Sequence, residues 1–316
     1  MGKALFIARW LLAGLLLLAL WLSADSAYGQ SRALLNAANQ GSTLYGQGRY
    51  SEALPFAKKA VRLGGQEFGT SHPVFATLLN NLAALYRAQG RYQKAEPLYE
   101  RALKINENAL QPDHPGLATD LNNLAEIYAT KGRHKKAEPL YLRALTIKEA
   151  AFGSNHPDVA VILDNLAELY REQTRFAEAE PLYERALAIK EMALGPENPS
   201  LATSLSNFAL LYAAQGRYAE AEPLCKRALA IKEEAFGPNH PDVAVILNNL
   251  AGLYHTLGRY KEAEPLYKRA LAVMEATLPG HPNTNKIRMR YAALLRATNR
   301  AYEAEKLEAR AEVRET

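Results

Sequence analysis

A chain of 316 residues is long enough for one large domain, two ordinary ones or one extended repeat array. With 48% hydrophobic and 22% charged residues it has the balance of an ordinary folded soluble protein. The net charge of +5 is modest, both signs are mixed along every segment, and no long run of like charge occurs, which excludes a nucleic-acid-binding tail and nucleic acid as the main ligand.

The first predicted element is a leader. Lys3 and Arg9 precede an apolar run from Trp10 to Leu22, and small side chains at Ala27 and Gly29 offer a cleavage site before Gln30. A charged start, a short apolar stretch and a small-residue exit predict a secretory signal peptide over residues 1–29. The run falls short of the roughly 20 apolar residues of a membrane span, so no membrane insertion is expected after cleavage. A periplasmic or secreted protein follows, with anchoring by an uncleaved signal as the alternative. The single cysteine, Cys225, excludes an intramolecular disulfide.

From residue 30 onward the chain repeats itself. Asn81, Asn123, Asn165, Asn207 and Asn249 recur every 42 residues, as do Ala95, Ala137, Ala179, Ala221 and Ala263. A fixed period of that size predicts a solenoid, with 30–316 as one array. Within a unit the pattern is helix, turn, helix, loop. Leu79, Leu82, Ala83 and Tyr86 form the apolar stripe of a helix over 76–89, and Gly90 ends it. Ala95, Leu98, Tyr99, Ala102 and Leu103 form the stripe of a second helix, with Pro97 expected near its first turn. Loops such as QPDHP at 111–115 and GPNHP at 237–241 close the unit, and their last proline is placed to open the next helix. The units run at about 34–75, 76–117, 118–159, 160–201, 202–243 and 244–284. A terminal pair over 286–314 has a last helix polar enough to cap the stack.

Small residues at 83, 95 and 102 with Tyr86 and Tyr99 between them resemble the tetratricopeptide repeat. The 42-residue period and the recurrent GRYxxAEPLYxRAL…HPxVAxxLNNLAxLY are similar to the kinesin light chain version of that repeat. The resemblance implies an all-α fold, a right-handed superhelical α-solenoid of helix-turn-helix repeats whose first helices line a concave surface. Departures are local: Thr174 replaces a turn glycine, Cys225 a core tyrosine and Asn198 a loop histidine. A motor-subunit role is not implied, because a signal peptide is incompatible with it.

At about 100° per residue, Asn81 lies opposite the apolar stripe with Thr77, Ala84 and Ala88. On the geometry implied by the resemblance this strip faces the groove. An amide is both donor and acceptor, so a ladder of Asn81, Asn123, Asn165, Asn207 and Asn249 suits a peptide backbone; the alternative is that these amides bond within the scaffold. Asn80, Asn122 and Asn248 are placed to contact the adjacent repeat. The other strip positions vary: Glu126 and Thr130, then Glu168 and Glu172, then Leu210 and Ala214, then Gly252 and Thr256. Glu126, Glu168 and Glu172, with Arg87 and Arg171 at the edge, suit a partner segment with a lysine or arginine near its centre; the alternative is that they are solvated charges. Lysine is absent from these strips.

His72, His114, His156, His240 and His281 occupy one loop position in successive units. Equivalent atoms about one helix diameter apart cannot share an ion, so they are expected to mark the passage from loop to helix. Cys225 is expected to be a buried inert thiol. No catalytic residue, metal site, cofactor or small-molecule substrate is indicated. The expected function is a non-catalytic scaffold that binds an extended peptide or a helix of a partner protein in its groove. The alternatives are an architectural module that assembles through its convex face or ends, and an enzyme built on the array.

Overall fold

The computed structural model describes residues 32–312, and the predicted signal peptide lies outside them. Among the described residues the chain is all-α, with fourteen helices in seven pairs. The pairs are α1 (Arg32–Gly46) with α2 (Tyr50–Phe68), α3 (Pro73–Ala88) with α4 (Tyr92–Ala109), and α5 (Pro115–Thr130) with α6 (His134–Phe152). Then follow α7 (Pro157–Glu172) with α8 (Phe176–Leu194), α9 (Pro199–Ala214) with α10 (Tyr218–Phe236), and α11 (Pro241–Thr256) with α12 (Tyr260–Thr277). The last pair is α13 (Pro282–Ala297) with α14 (Ala301–Glu312). The helices form two compact units that divide between Ser154 and Asn155.

Each first helix from α3 to α13 starts on the proline that closes the preceding loop, where the missing N–H has no partner to lose. The loop histidine is the N-cap. Its Nδ1 accepts the backbone N–H two residues on, at 3.2 Å for His72, 3.0 Å for His114 and 3.1 Å for His156 and His240. Asn198 does the same with its side-chain oxygen, at 2.9 Å. The substitution is therefore like for like: an acceptor on a short side chain.

Turn glycines end the first helices in the left-handed region, Gly90 with φ 71° for example. Thr174 holds the same conformation at φ 59°, which a β-branched residue tolerates at a cost. Pro97 differs from expectation. It lies in the second turn of α4, because that helix already begins at Tyr92. It therefore removes one intrahelical hydrogen bond, as do its counterparts in α2, α6, α8, α10 and α12.

The core is built from small residues that let helices approach. Ala83, Ala95 and Ala102 are completely buried, and so are their counterparts Ala167, Ala179 and Ala186. Tyr99, Tyr141, Tyr183 and Tyr267 fill the remaining space with fully buried rings. Cys225 takes the tyrosine place in α10; it is buried, and burial pushes its thiol up to about 12, so it stays protonated and inert. In each unit, first helices of successive pairs also touch directly: α3 with α5, and α7, α9, α11 and α13 in series. Second helices make no comparable contact with one another among the described residues. The first helices therefore line the tighter side of each unit.

Candidate functional site

The two asparagines of LNNLA have opposite fates. Asn80 is drawn between repeats, where its Nδ2 donates to Asp120 Oδ1 at 2.5 Å. Asn122 and Asn248 are buried, and Asp164 takes this place in α7. The second asparagine points away from the core. Asn81 is exposed, Asn123, Asn165 and Asn207 are half-buried, and Asn249 is half-buried with its Nδ2 donating to Ser206 Oγ at 3.2 Å. Asn81, Asn123 and Asn207 have no side-chain hydrogen bond among the described residues. The scaffold-bonding alternative thus holds for Asn249, while three amides stay available.

In the first unit Asn81 borders a cavity of about 90 Å³ with Gly41, Ser42 and Tyr45 of α1 and Ala84 of α3. Its floor is apolar, made by Ala57, Ala60, Leu78 and Leu85. The volume is far below the roughly 300–1,000 Å³ of a small-molecule site.

The acidic middle of the strip is not what the sequence suggested. Glu126 pairs with Arg87. Glu168 is held by Arg171 through two hydrogen bonds of 2.6 and 2.5 Å, and it also accepts from the Tyr183 hydroxyl at 2.8 Å. Two of the three carboxylates expected to meet a basic ligand residue are therefore neutralised within the protein. Glu172 is exposed. The expectation of a partner lysine or arginine is corrected accordingly: a carboxylate already bound to a guanidinium offers little to a second cation. The sequence reading also stopped short of α13, where Lys286 and Arg290 continue the same strip. Neither has an ion-pair partner at salt-bridge distance among the described residues.

Charges at the helix ends link repeats. Arg217 at the foot of α10 pairs with Glu180 of α8 at 2.7 Å and with Glu220 of its own helix at 2.6 Å, and its guanidinium lies 4.0 Å from the Tyr212 ring centre. Arg259 repeats this with Glu222 and Glu262, and in the first unit Arg133 reaches Glu96 at 2.6 Å. Exposed pairs add little stability, but an arginine that bridges two carboxylates at the α8–α10 and α10–α12 junctions fixes how one pair sits on the next.

Two buried polar clusters between repeats were also missed. In α8, Lys190 bonds to Asp164 and, at 2.8 Å, to Ser204 Oγ, with all three side chains buried. In α4, Asn106 stands at the lysine position and donates to Asp120 at 2.6 Å. A signal was present. Lys190 follows the buried Ala186 by four residues, so it had to lie on the core face. Among the described residues no group of three or more His, Cys, Asp or Glu side chains is placed to share a metal ion. No described helix is long and apolar enough to cross a membrane.

This is the geometry of a tandem helical-pair scaffold. The tetratricopeptide repeat family matches at residues 30–108, 74–150, 121–192, 200–276 and 244–312, and the chain belongs to that family. Its structure is similar to BtubC (BKLC) from P. vanneervenii, with 26% identity over 82% of this chain and 95% of that one and a TM-score of 0.52. It is also similar to the kinesin light chain nearly identical TPR-like repeats of Podosopora anserina, with 26% identity over 64% and 95% and a TM-score of 0.50. A Rap protein complexed with competence and sporulation factor shares the fold with a TM-score of 0.70, at 18% identity over 90% of this chain and 77% of that one. No curated protein sequence matches the chain.

Proposed function

We propose that the chain is an exported, non-catalytic scaffold that binds an extended segment of a partner protein along the asparagine-bearing faces of its first helices. The observation that carries this reading is the divergence within LNNLA. The first asparagine is spent on the junction between repeats, while Asn81, Asn123 and Asn207 keep amides with no structural task. A half-buried amide without a protein partner is an unused donor and acceptor pair, suited to a peptide backbone. In the first unit α3 and α5 touch, so Asn81 and Asn123 are supplied from adjoining helices, which limits the ordering cost of binding.

Capture from a cell-envelope extract by the mature chain identifies the partner. The variant carrying Asn123→Ala and Asn207→Ala is expected to bind that partner at least about tenfold more weakly, two hydrogen bonds being worth about 1 kcal/mol each. Its melting temperature should stay unchanged, since neither amide bonds to the scaffold. Undiminished capture would point instead to assembly through another face. Export rests on the leader predicted from Lys3, Arg9 and the run from Trp10 to Leu22. Fractionation is expected to find the chain in the envelope or medium, and a cytosolic protein would overturn it.

A further inference from the structure

The second unit contains its own template for a ligand site. Helices α7 and α11 are equivalent elements two repeats apart, as are α8 and α12, so their residues can be compared place by place. Glu168 corresponds to Gly252 and Tyr183 to Tyr267. In the earlier repeat the Glu168 carboxylate fills a niche where the Tyr183 hydroxyl donates to it at 2.8 Å and Arg171 grips it twice.

In the later repeat the tyrosine is retained and the carboxylate is absent. The Tyr267 ring is fully buried, yet its hydroxyl has no hydrogen-bond partner among the described residues. A methyl group built on Gly252 would lie 3.6 Å from that hydroxyl and 3.8 Å from Arg290 Nη1 of α13, at ordinary contact distance with nothing nearer. The niche is therefore open, and a guanidinium borders it. Lys286, one turn ahead of Arg290, adds a second cation. Burial, then the charges of Arg290 and Arg171, hold its pKa below the usual lysine value, with Glu168 and Glu172 acting in opposition. A phenol hydroxyl without an acceptor beside an unpaired guanidinium matches the Glu168 site with its anion removed, except that His255 stands at the place of Arg171 and the guanidinium is supplied by Arg290 of α13.

We propose that the niche at Gly252 binds a carboxylate of the partner segment, which accepts from the Tyr267 hydroxyl and from Arg290 as Glu168 accepts from Tyr183 and Arg171. The proposal rests on the groove reading for where the segment lies. It replaces the basic ligand residue expected from sequence with an acidic one. Both an aspartate or glutamate side chain and a chain-terminal carboxylate have the required chemistry.

The test is a titration of the chain, read at the Arg290 Nε–Hε resonance. The probes are N-acetylglutamate N-methylamide for a side-chain carboxylate, N-acetylalanine for a terminal one, and N-acetylglutamine N-methylamide as the neutral control. A saturable shift with either acid and none with the control is expected, and the stronger acid identifies the source. Tyr267→Phe should weaken binding at least about tenfold, the effect of one hydrogen bond to a charge. Gly252→Glu should place a carboxylate in the niche from within, shifting the Arg290 resonance before any probe is added and abolishing the response. Equal response to acid and control, or a Gly252→Glu chain that still responds like the parent, overturns the site. The probes are single residues, so the shift does not depend on the asparagines. A shift that persists while partner capture ignores Asn123→Ala and Asn207→Ala removes the groove reading alone. Capture that needs those amides without any shift removes the niche alone.

Discussion

Two junctions in the chain solve the same burial problem with different chemistry. In the second unit, Lys190 of α8 reaches Asp164 of α7 and Ser204 of α9, and Ser204 Oγ also donates to Asp164 Oδ2 at 2.5 Å. In the first unit the three equivalent places hold Asn106, Asn80 and Asp120. There the acid has moved from the lysine's own repeat to the next one, and the cation has become an amide. Asp120 is 1% exposed and receives two amide donors, but no cation faces it among the described residues. The oxygens of both amides, Asn80 Oδ1 and Asn106 Oδ1, are buried without partners. The repeat backbone thus dictates that a polar cluster sits at this depth. It does not dictate the charge of that cluster. One junction is internally neutral and the other carries a buried negative charge whenever Asp120 is ionised.

The largest break in this comparison comes from the neutral junction. Lys190→Met leaves Asp164 as an uncompensated buried carboxylate and is expected to cost about 3–5 kcal/mol in urea unfolding. Adding Asp164→Leu removes the stranded charge and should restore most of that loss, because an apolar pair of similar volume needs no counter-ion. If the double variant is no more stable than the single one, the ion pair is not what the junction depends on.

The contrast between these junctions also marks what the sequence could reveal. Period, helix boundaries and caps are local properties. The prolines at 73, 115, 157, 199, 241 and 282 open the first helices, and the histidines before five of them, with Asn198 before the sixth, serve as caps, because one acceptor and one missing donor suffice to set a helix start. The outward face of Asn81 was likewise legible from an angle of about 100° per residue. What could not be read was the pairing of charges. Arg87 reaches Glu126 from the preceding repeat, which only packing decides; Arg171 and Glu168, three residues apart on α7, are the exception, a pair that their spacing shows. Glu180 and Arg217 lie 37 residues apart, a spacing that gains meaning once one repeat is seated on the next. The clusters around Lys190 and Asp120 were missed for a related reason. A lysine or aspartate on the core face reads as an exception until its partner from another repeat is in place. Lys286 and Arg290 escaped because the terminal pair was read as a cap, whereas its first helix continues the strip.

The charged junction offers the subtler test, through pH. Burial raises the Asp120 carboxyl from an ordinary 3.8 to about 6, opposed in part by the hydrogen bonds from Asn106 and Asn80, with the charge of Glu107 raising it further. A carboxyl that holds its proton more tightly in the folded chain than in the unfolded one favours folding in acid. That contribution is complete below pH 3.8, fades as pH rises through about 6, and is absent above. The swing is about 3 kcal/mol at most, from roughly two pKa units at about 1.4 kcal/mol each. Asp120→Asn should therefore stabilise the chain at pH 8 by about 2 kcal/mol, less than the full swing because one neighbouring amide must flip to accept. At pH 4 it should change little. Asn106→Lys installs the cation of the other junction and should bring a similar gain at pH 8 by lowering the Asp120 pKa. The His281 cap responds with the opposite sign. Burial lowers His281 to about 4, and its Nδ1 must stay unprotonated to accept from Asn283 at 3.0 Å, so stability is lost as pH falls from about 6.5 toward 4. Urea unfolding at pH 8, 6 and 4 should be measured in a His281→Asn background, which keeps the cap in the form Asn198 already shows. If the Asp120→Asn chain keeps the parent's dependence between pH 4 and 6 in that background, Asp120 is not the group that titrates, and the two junctions differ in composition without differing in charge.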